Sequence, residues 1–366
     1  MLPKLSIAQP VPDYKVLVNG TDITRTLRGR LISLTLADKR RFETDTVDIE
    51  LDDSDGQLAF PPKGATMHVF IGWQGEALTD KGTFTIDEIE HNGPPDVLTL
   101  RGKAADMRDS MQVLHEQSYH DTNLGDILKT LAGRNGLTPK IAEALSAEAM
   151  PHIDQQNESD AAFLTRLAIQ FDALATVKLN NLLFMPAGEA KTLSGTPLPG
   201  TTITRQSGDS HSVSVADRNA YTGVKAVWHS NDKAQLQVVK TIRKYKTNSG
   251  EETQRGSTEF IVGSEGNIKV LRTTYASRQS AERAAKAEWE RLQRNVATFS
   301  ITLAKGQPEL TPETPVMVQG FKNEIDALPW LLTEVTHTIN DNGYTTALQL
   351  EVKNSEIPDV EDEALA

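Results

Sequence analysis

The sequence predicts an α+β, β-rich protein in which two similar small antiparallel β-barrel domains bracket an α/β insertion. Three observations predict it. The first hundred residues alternate apolar and polar with a period of two. From about residue 104 the period changes to three and four, the helical spacing. A stretch near residue 318 then repeats one near residue 70.

Residues 1–104 form the first barrel in this reading. Ile32, Leu34 and Leu36 alternate, as do Val47, Ile49 and Leu51, then Val69, Ile71 and Trp73, then Leu98 and Leu100. Such alternation gives a strand one buried face. Asn19-Gly20, Asp55-Gly56 and Asn92-Gly93-Pro94-Pro95 supply the turns between strands.

Residues 105–190 form the insertion. Leu124, Ile127, Leu128 and Leu131 make a helical stripe that ends near Gly133 and Gly136, and Leu137-Thr138-Pro139 is a short extended exit. The run NESDAAFLTRLAIQFDALATVKLNNLLFMP follows at 157–186. Ser159 is placed to cap a helix, with Asp160 in its first turn where the helix dipole favours a carboxylate. Phe163, Leu167, Phe171 and Leu174 share one apolar face. A hairpin follows, with Asn180-Asn181 as its two-residue turn and Pro186 as its stop. Arg166 and Gln170 are left to face solvent or a neighbouring subunit.

Residues 191–352 form the second barrel. The Thr-, Gly- and Pro-rich stretch 192–204 reads as a linker, and 221–229 as a strand. A polar insertion at about 230–275 carries the basic run Lys240, Arg243, Lys244 and Lys246, a solvated feature. A helix at 277–294 buries Ala281, Ala284, Ala285, Trp289 and Leu292. Strands resume at Phe299, Ile301 and Leu303 and run to Val352; residues 353–366 form an acidic, frayed tail.

The duplication is read from matched pairs. Gly72-Trp73 matches Gly320-Phe321, Glu88-Ile89-x-His91 matches Glu334-Val335-x-His337, and Leu98/Leu100 match Leu348/Leu350. Two equivalent domains per chain would let a closed trimer present six similar units to a sixfold partner.

Composition narrows the function. The chain has 366 residues, a net charge of −12 and no cysteine. That charge disfavours nucleic-acid binding, which needs clustered Lys and Arg to displace counterions. Without cysteine there are no disulfides, thiolate nucleophiles or Cys-based zinc sites. No apolar run approaches the roughly eighteen residues of a membrane span, and the N-terminus lacks the core of a secretory signal. A soluble chain made in the cytoplasm, with no stable membrane association, is expected.

The chemical candidates are weak. His115, Glu116, His120 and Asp121 lie together, but their histidines are five apart where a zinc helix needs four; a solvated turn is expected. Asp52, Asp53 and Asp55 before Gly56 lack the acidic closing ligand of a calcium loop and read as a strand-end turn. His91 and His337 read as packing or strand-pairing positions. Nothing singles out a carboxylate pair among 50 acidic residues, and there is no nucleophile elbow or phosphate-binding loop. No catalytic, cofactor or metal residues are therefore assigned, and no cofactor is expected.

NLGDILKTLAGRNGL and ESDAAFLTRLAIQFDALATVKLNNLLFMP resemble the late control D protein family of contractile-tailed phages. So do SRQSAERAAKAEWERLQRNVATFSITLAKGQPELTPETPVMVQGF and WLLTEVTHTINDNGYTTALQLEV. These are tail baseplate hub proteins, related to the hub region of the VgrG spike proteins. Glu158, Ser159, Asp160, Phe163, Leu164, Leu167, Leu183 and Phe184 carry the resemblance, which implies fold-defining roles for them. It also implies a virion structural protein and no enzyme. The expected assembly is a homotrimer joining the sixfold tail-tube protein to a threefold spike protein, among other baseplate proteins, with DNA passing through its lumen. VgrG chains continue into a spike, whereas this one stops at Ala366, so the spike is expected to be a separate chain. The alternative is a tail-tip protein that binds carbohydrate or hydrolyses peptidoglycan.

Overall fold

Alternating burial builds the first stretch of strands. They are β1 (Pro12–Val18), β2 (Thr21–Asp22), β3 (Leu31–Lys39), β4 (Thr46–Asp52), β5 (Thr66–Trp73), β6 (Thr79–Asn92) and β7 (Val97–Ala104), with the single turn α1 (Thr24–Leu27) before β3. Leu34, Leu36, Val47, Ile49, Met67, Val69 and Ile71 are fully buried and form its core. The computed structural model describes residues 10–40, 44–62, 64–104, 109–178, 180–192, 195–215, 221, 223–230, 235–242, 267–275, 278–294 and 297–353.

The middle of the chain changes period as expected. It comprises β8 (Leu114–Asn123), α2 (Leu124–Arg134), β9 (Thr138–Ile141), α3 (Glu143–Ser146), β10 (Ala149–Ser159), α4 (Asp160–Phe171), β11 (Ala173–Lys178) and β12 (Asn181–Pro186). β10 pairs with β8, while β11, β12 and β9 make a second small sheet. Ile127, Leu128 and Leu131 of α2 meet Phe163, Leu164 and Leu167 of α4 in one core. Ser159 caps α4 by accepting the Ala162 N–H, and Asn123 caps α2 by accepting the Asp126 N–H. The hairpin turn falls one residue earlier than expected: Lys178 pairs with Asn181, and Asn180 takes the positive φ of 62°. Only one of the two asparagines is needed for the left-handed conformation.

The last third holds β13 (Thr201–Thr204), β14 (Gly208–Val215), β15 (Gly223–Ser230), β16 (Gln235–Ile242), β17 (Ile268–Tyr275), α5 (Arg278–Arg294), β18 (Ala297–Leu303), β19 (Pro315–Gln319), α6 (Asn323–Asp326), β20 (Trp330–Asn340) and β21 (Gly343–Val352). Here the expected layout needs correction. The strand expected at 221–229 does not join the large sheet: β15 pairs with β16 and β17 in a sheet of its own. Val224 and Ala226 of β15 are buried against Ala281 and Ala285 of α5. The inserted unit thus begins before residue 230 and includes the helix, because the alanine face of α5 needs an apolar sheet beneath it. Arg243, Lys244 and Lys246 of the basic run, and residues 354–366 of the acidic tail, lie outside the described residues.

All the remaining described strands share one sheet of 13, ordered β14-β18-β21-β20-β3-β4-β7-β6-β5-β1-β2, with β19 and β13 continuing from β20. One succession occurs twice along it. β3-β4-β7-β6-β5-β1 in the first part is matched by β14-β18-β21-β20-β19-β13 in the last. Two of the β-bulges coincide too. β3 breaks register between Leu31 and Ser33, and β14 between Gly208 and Ser210. β6 does so between Ile86 and Glu88, and β20 between Leu332 and Glu334. A bulge bends a strand and adds twist, so both successions bend at corresponding points. The final turns differ, since β1 runs antiparallel to β5 but β13 parallel to β19.

Bulges also explain two local departures. Ile32 sits inside the β3 bulge and is 38% exposed, although the alternation with Leu34 placed it inward. Leu100 faces Ile49 and Leu348 faces Ile301, so these two leucines correspond. Leu98 is therefore matched by Thr346, not Leu348, a shift of one pleat.

Where the two successions touch, packing is tight. The Trp73 indole N–H donates to the Gly306 carbonyl at 3.0 Å, and its ring lies 5.2 Å from that of Tyr344. A β-carbon at Gly306 would stand 2.4 Å from the Tyr344 ring. Gly306→Ala should therefore destabilise the fold by about 1–3 kcal/mol through overpacking. A shift of the urea midpoint to lower concentration checks this; an unchanged midpoint contradicts the packing described.

Candidate assembly surface

The two successions are joined by backbone. β20 runs antiparallel to β3 from Glu334 opposite Lys39 to Asn340 opposite Ser33. His337 sits opposite Leu36 and is fully buried. Its Nδ1 lies 3.0 Å from the Tyr344 hydroxyl and 3.1 Å from that of Thr346. Burial, helped by the nearby Lys81 charge, lowers its pKa to about 2, so the ring is neutral. Lys81 Nζ donates to Asp38 at 3.0 Å beside it, both side chains almost completely enclosed.

A second link is ionic. Arg294, at the end of α5 and fully buried, donates through Nη1 to Asp172 at 2.6 Å. Asp172 ends α4 in the left-handed conformation. Arg294 Nε lies 3.4 Å from Glu351 of β21, Glu351 also pairs with Arg40, and Arg40 with Glu313. Desolvation works against the Arg294 charge, but Asp172 and Glu351 outweigh it and hold the guanidinium ionised. Burial pushes the Glu313 carboxyl up despite Arg40. This chain of charges ties the end of α4, α5 and the large sheet together.

A third polar cluster lies between α2, β10 and α4. Asp160 has no exposed surface and accepts from Arg134 at 2.6 Å, Asn135 at 2.7 Å and Gln155 at 2.8 Å. Every carboxylate oxygen is thus satisfied. Phe163, Leu164, Leu167 and Phe184 are core residues, and Leu183 is half-buried. Glu158 binds Arg166 at 2.7 Å. Arg166 also donates to the Asp154 carbonyl at 2.7 Å and lies 4.8 Å over the Phe163 ring. Arg166 thus fastens its helix to β10 while its side chain stays 43% exposed and faces solvent as expected; Gln170 is half-buried at the helix end.

The other candidate residues fall into structural places. His115, Glu116, His120 and Asp121 are on strand β8, not in a solvated turn, because β10 pairs along it. His120 stacks on His152 with Nδ1 atoms 3.1 Å apart, and His152 Nε2 lies 3.1 Å from Asp154. Among the described residues no three His, Asp or Glu side chains converge as metal ligands. Asp52, Asp53 and Asp55 do form a strand-end turn: Asp55 pairs with Arg30, and Asp53 accepts the Leu58 N–H. His91 Nε2 stands 3.3 Å from Asp53 and keeps about a third of its side chain exposed, unlike its counterpart His337. Shallow clefts of about 370–410 Å³ lie on the surface, one of them bordered by Glu116, Gln117 and Gln155.

Among the described residues, β14 pairs only with β18, and the Glu88–Asn92 half of β6 only with β7, so each has an open edge. The sequence reading missed β14, since GDSHSVSV carries only Val213 and Val215 as an apolar alternation. It also missed the Asp172–Arg294–Glu351–Arg40–Glu313 chain, whose members lie up to 311 residues apart with no local signal.

With this arrangement in place, comparison with known proteins is decisive. The family model for the phage tail baseplate hub (GPD) matches residues 26–343. The chain belongs to the phage tail baseplate hub family. Probable baseplate hub proteins of Escherichia phages 186 and P2 are 48% and 46% identical to it, each match covering 94% of both chains. A Neisseria meningitidis tail protein shares the hub fold with a TM-score of 0.65 at 17% identity, over 93% of this chain and 96% of that one. An Escherichia coli type VI secretion component, whose likeness to bacteriophage T4 tail proteins has been noted, gives 0.51 at 13% identity, over 94% and 80%. No helix among the hub's described residues is long and apolar enough to cross a membrane.

Two outcomes follow for stability. Unfolded His337 takes a proton near its ordinary pKa of 6.5, whereas the folded ring resists it until about 2. Its contribution is therefore complete above pH 6.5 and is lost as the pH falls. Between pH 6.5 and 5 the unfolding free energy should drop by up to about 1.4 kcal/mol per unit, and His337→Gln should flatten this slope in urea titrations. An equal slope in the variant contradicts the assignment. Asp160→Ala, by stranding Arg134, should cost about 3–5 kcal/mol in the same titration; a loss under about 1 kcal/mol, the worth of one ordinary hydrogen bond, speaks against the cluster.

Proposed function

We propose that this chain is the structural hub of a phage-type contractile tail, located in the virion baseplate. In this reading residues 1–104 and the large-sheet strands of residues 191–352 are two copies of one β-barrel tube domain, with an α/β insertion at 105–190 between them. Three chains close into a ring of six such domains. One face meets the sixfold tail tube, the other a threefold spike, with further baseplate proteins around them.

The observation that carries this reading is the doubled strand succession, with bulges at corresponding places in β3 and β14 and in β6 and β20. Two equivalent units in each of three chains satisfy sixfold and threefold neighbours at once. The ring encloses a lumen through which DNA passes. A net charge of −12 supports a passage that does not hold DNA. The polar clusters described above stabilise the fold and perform no catalysis in this account.

Native mass measurement tests the stoichiometry. The expected species is three 40.1 kDa chains, alone or with a spike partner added. A chain that stays monomeric in both conditions contradicts the reading.

A further inference from the structure

The two open strand edges are halves of one junction. Within the chain, β20 of the last succession pairs with β3 of the first. β14 occupies the place of β3, and β6 the place of β20, in the matching strand orders. β3 has a partner on its outer edge and β14 has none among the described residues; β20 has a partner beyond its bulge and β6 has none. The missing partner of each therefore has the form of the other.

We infer that β14 of one chain adds to the free half of β6 on the next, repeating between subunits the β20–β3 pairing that already exists within each. This rests on the ring proposed above and names the edges that close it. Carrying the register across places Ile89 opposite Val215, Glu90 opposite Ser214, His91 opposite Val213 and Asn92 opposite Ser212 of the neighbour. The intrachain equivalents are Val335 opposite Asp38, Thr336 opposite Ala37, His337 opposite Leu36 and Thr338 opposite Thr35.

Exposure agrees with this assignment. Val215 is 68% exposed, while Asp38 at the same place in β3 is 5% exposed. His91 and Ile89 are partly uncovered, while His337 and Val335 are fully buried. Each open position has a counterpart that β20–β3 pairing covers. An unprotected edge ending in an exposed valine is otherwise a liability for indiscriminate strand addition. The contact is heterologous, since two different edges meet, so it builds a ring or a filament rather than a twofold dimer.

Because the chain has no cysteine, disulfide trapping tests the register without background. Opposed residues on antiparallel strands have Cα atoms about 4.5–5.5 Å apart, within disulfide reach. The purified Glu90→Cys/Ser214→Cys chain, once oxidised, should give covalent multimers up to three chains. Glu90→Cys/Ser212→Cys, two residues out of register, should give roughly ten-fold less. Ala37→Cys/Thr336→Cys serves as the control, forming a disulfide within one chain and reporting an intact junction. A native trimer whose Glu90/Ser214 pair cross-links no better than the offset pair overturns this junction and leaves the ring standing. A monomer in which the control disulfide forms overturns both.

Discussion

Backbone pairing between β20 and β3 is the contact on which the rest of the architecture depends. It turns two separate strand successions into one sheet and buries His337, Leu36 and Val335 along the seam. Strand edges carry rows of N–H and C=O groups that must be paired or hydrated. That demand is met once where the two halves join, and among the described residues a matching demand is left on β14 and on the Glu88–Asn92 half of β6. In the ring proposed above, one pairing used twice specifies the assembly, instead of an unrelated interface.

Buried charge holds α4 and α5 to this sheet. Arg294 links Asp172 at the end of α4 to Glu351 on β21, and Arg40 continues the link to Glu313. Taking charges out of water is costly, and losing one partner leaves the other stranded, so such a chain is far harder to break than to have omitted. The same logic applies at the start of α4, where Asp160 satisfies Arg134, Asn135 and Gln155 together. These groups resemble a site in composition. Their geometry is that of structural connectors, consistent with relatives named as baseplate hub proteins.

What could be read in the sequence follows the range of each interaction. Ser159 capping, the apolar face from Phe163 to Phe171 and the strands around Ile49 and Ile71 depend on neighbours a few residues away, and their spacing displayed them. The likeness of Glu88-Ile89-x-His91 to Glu334-Val335-x-His337 was visible because both segments follow a bulge in equivalent strands. The placement of β15 beside α5 was not, since an isolated strand does not say which sheet it joins. Ile32 was misplaced because a bulge shifts alternation by one residue without any marker in the sequence. β14 escaped notice for a different reason: it is poor in apolar residues and finds one strand partner among the described residues.

Amide hydrogen exchange on the assembled hub tests the central claim most directly. If the seam is used twice, amides of Glu88–Asn92 and Gly208–Val215 exchange slowly in the assembly, approaching those of Glu334–Asn340, and quickly in the isolated chain. Rapid exchange of both segments in a fully assembled ring would contradict the account.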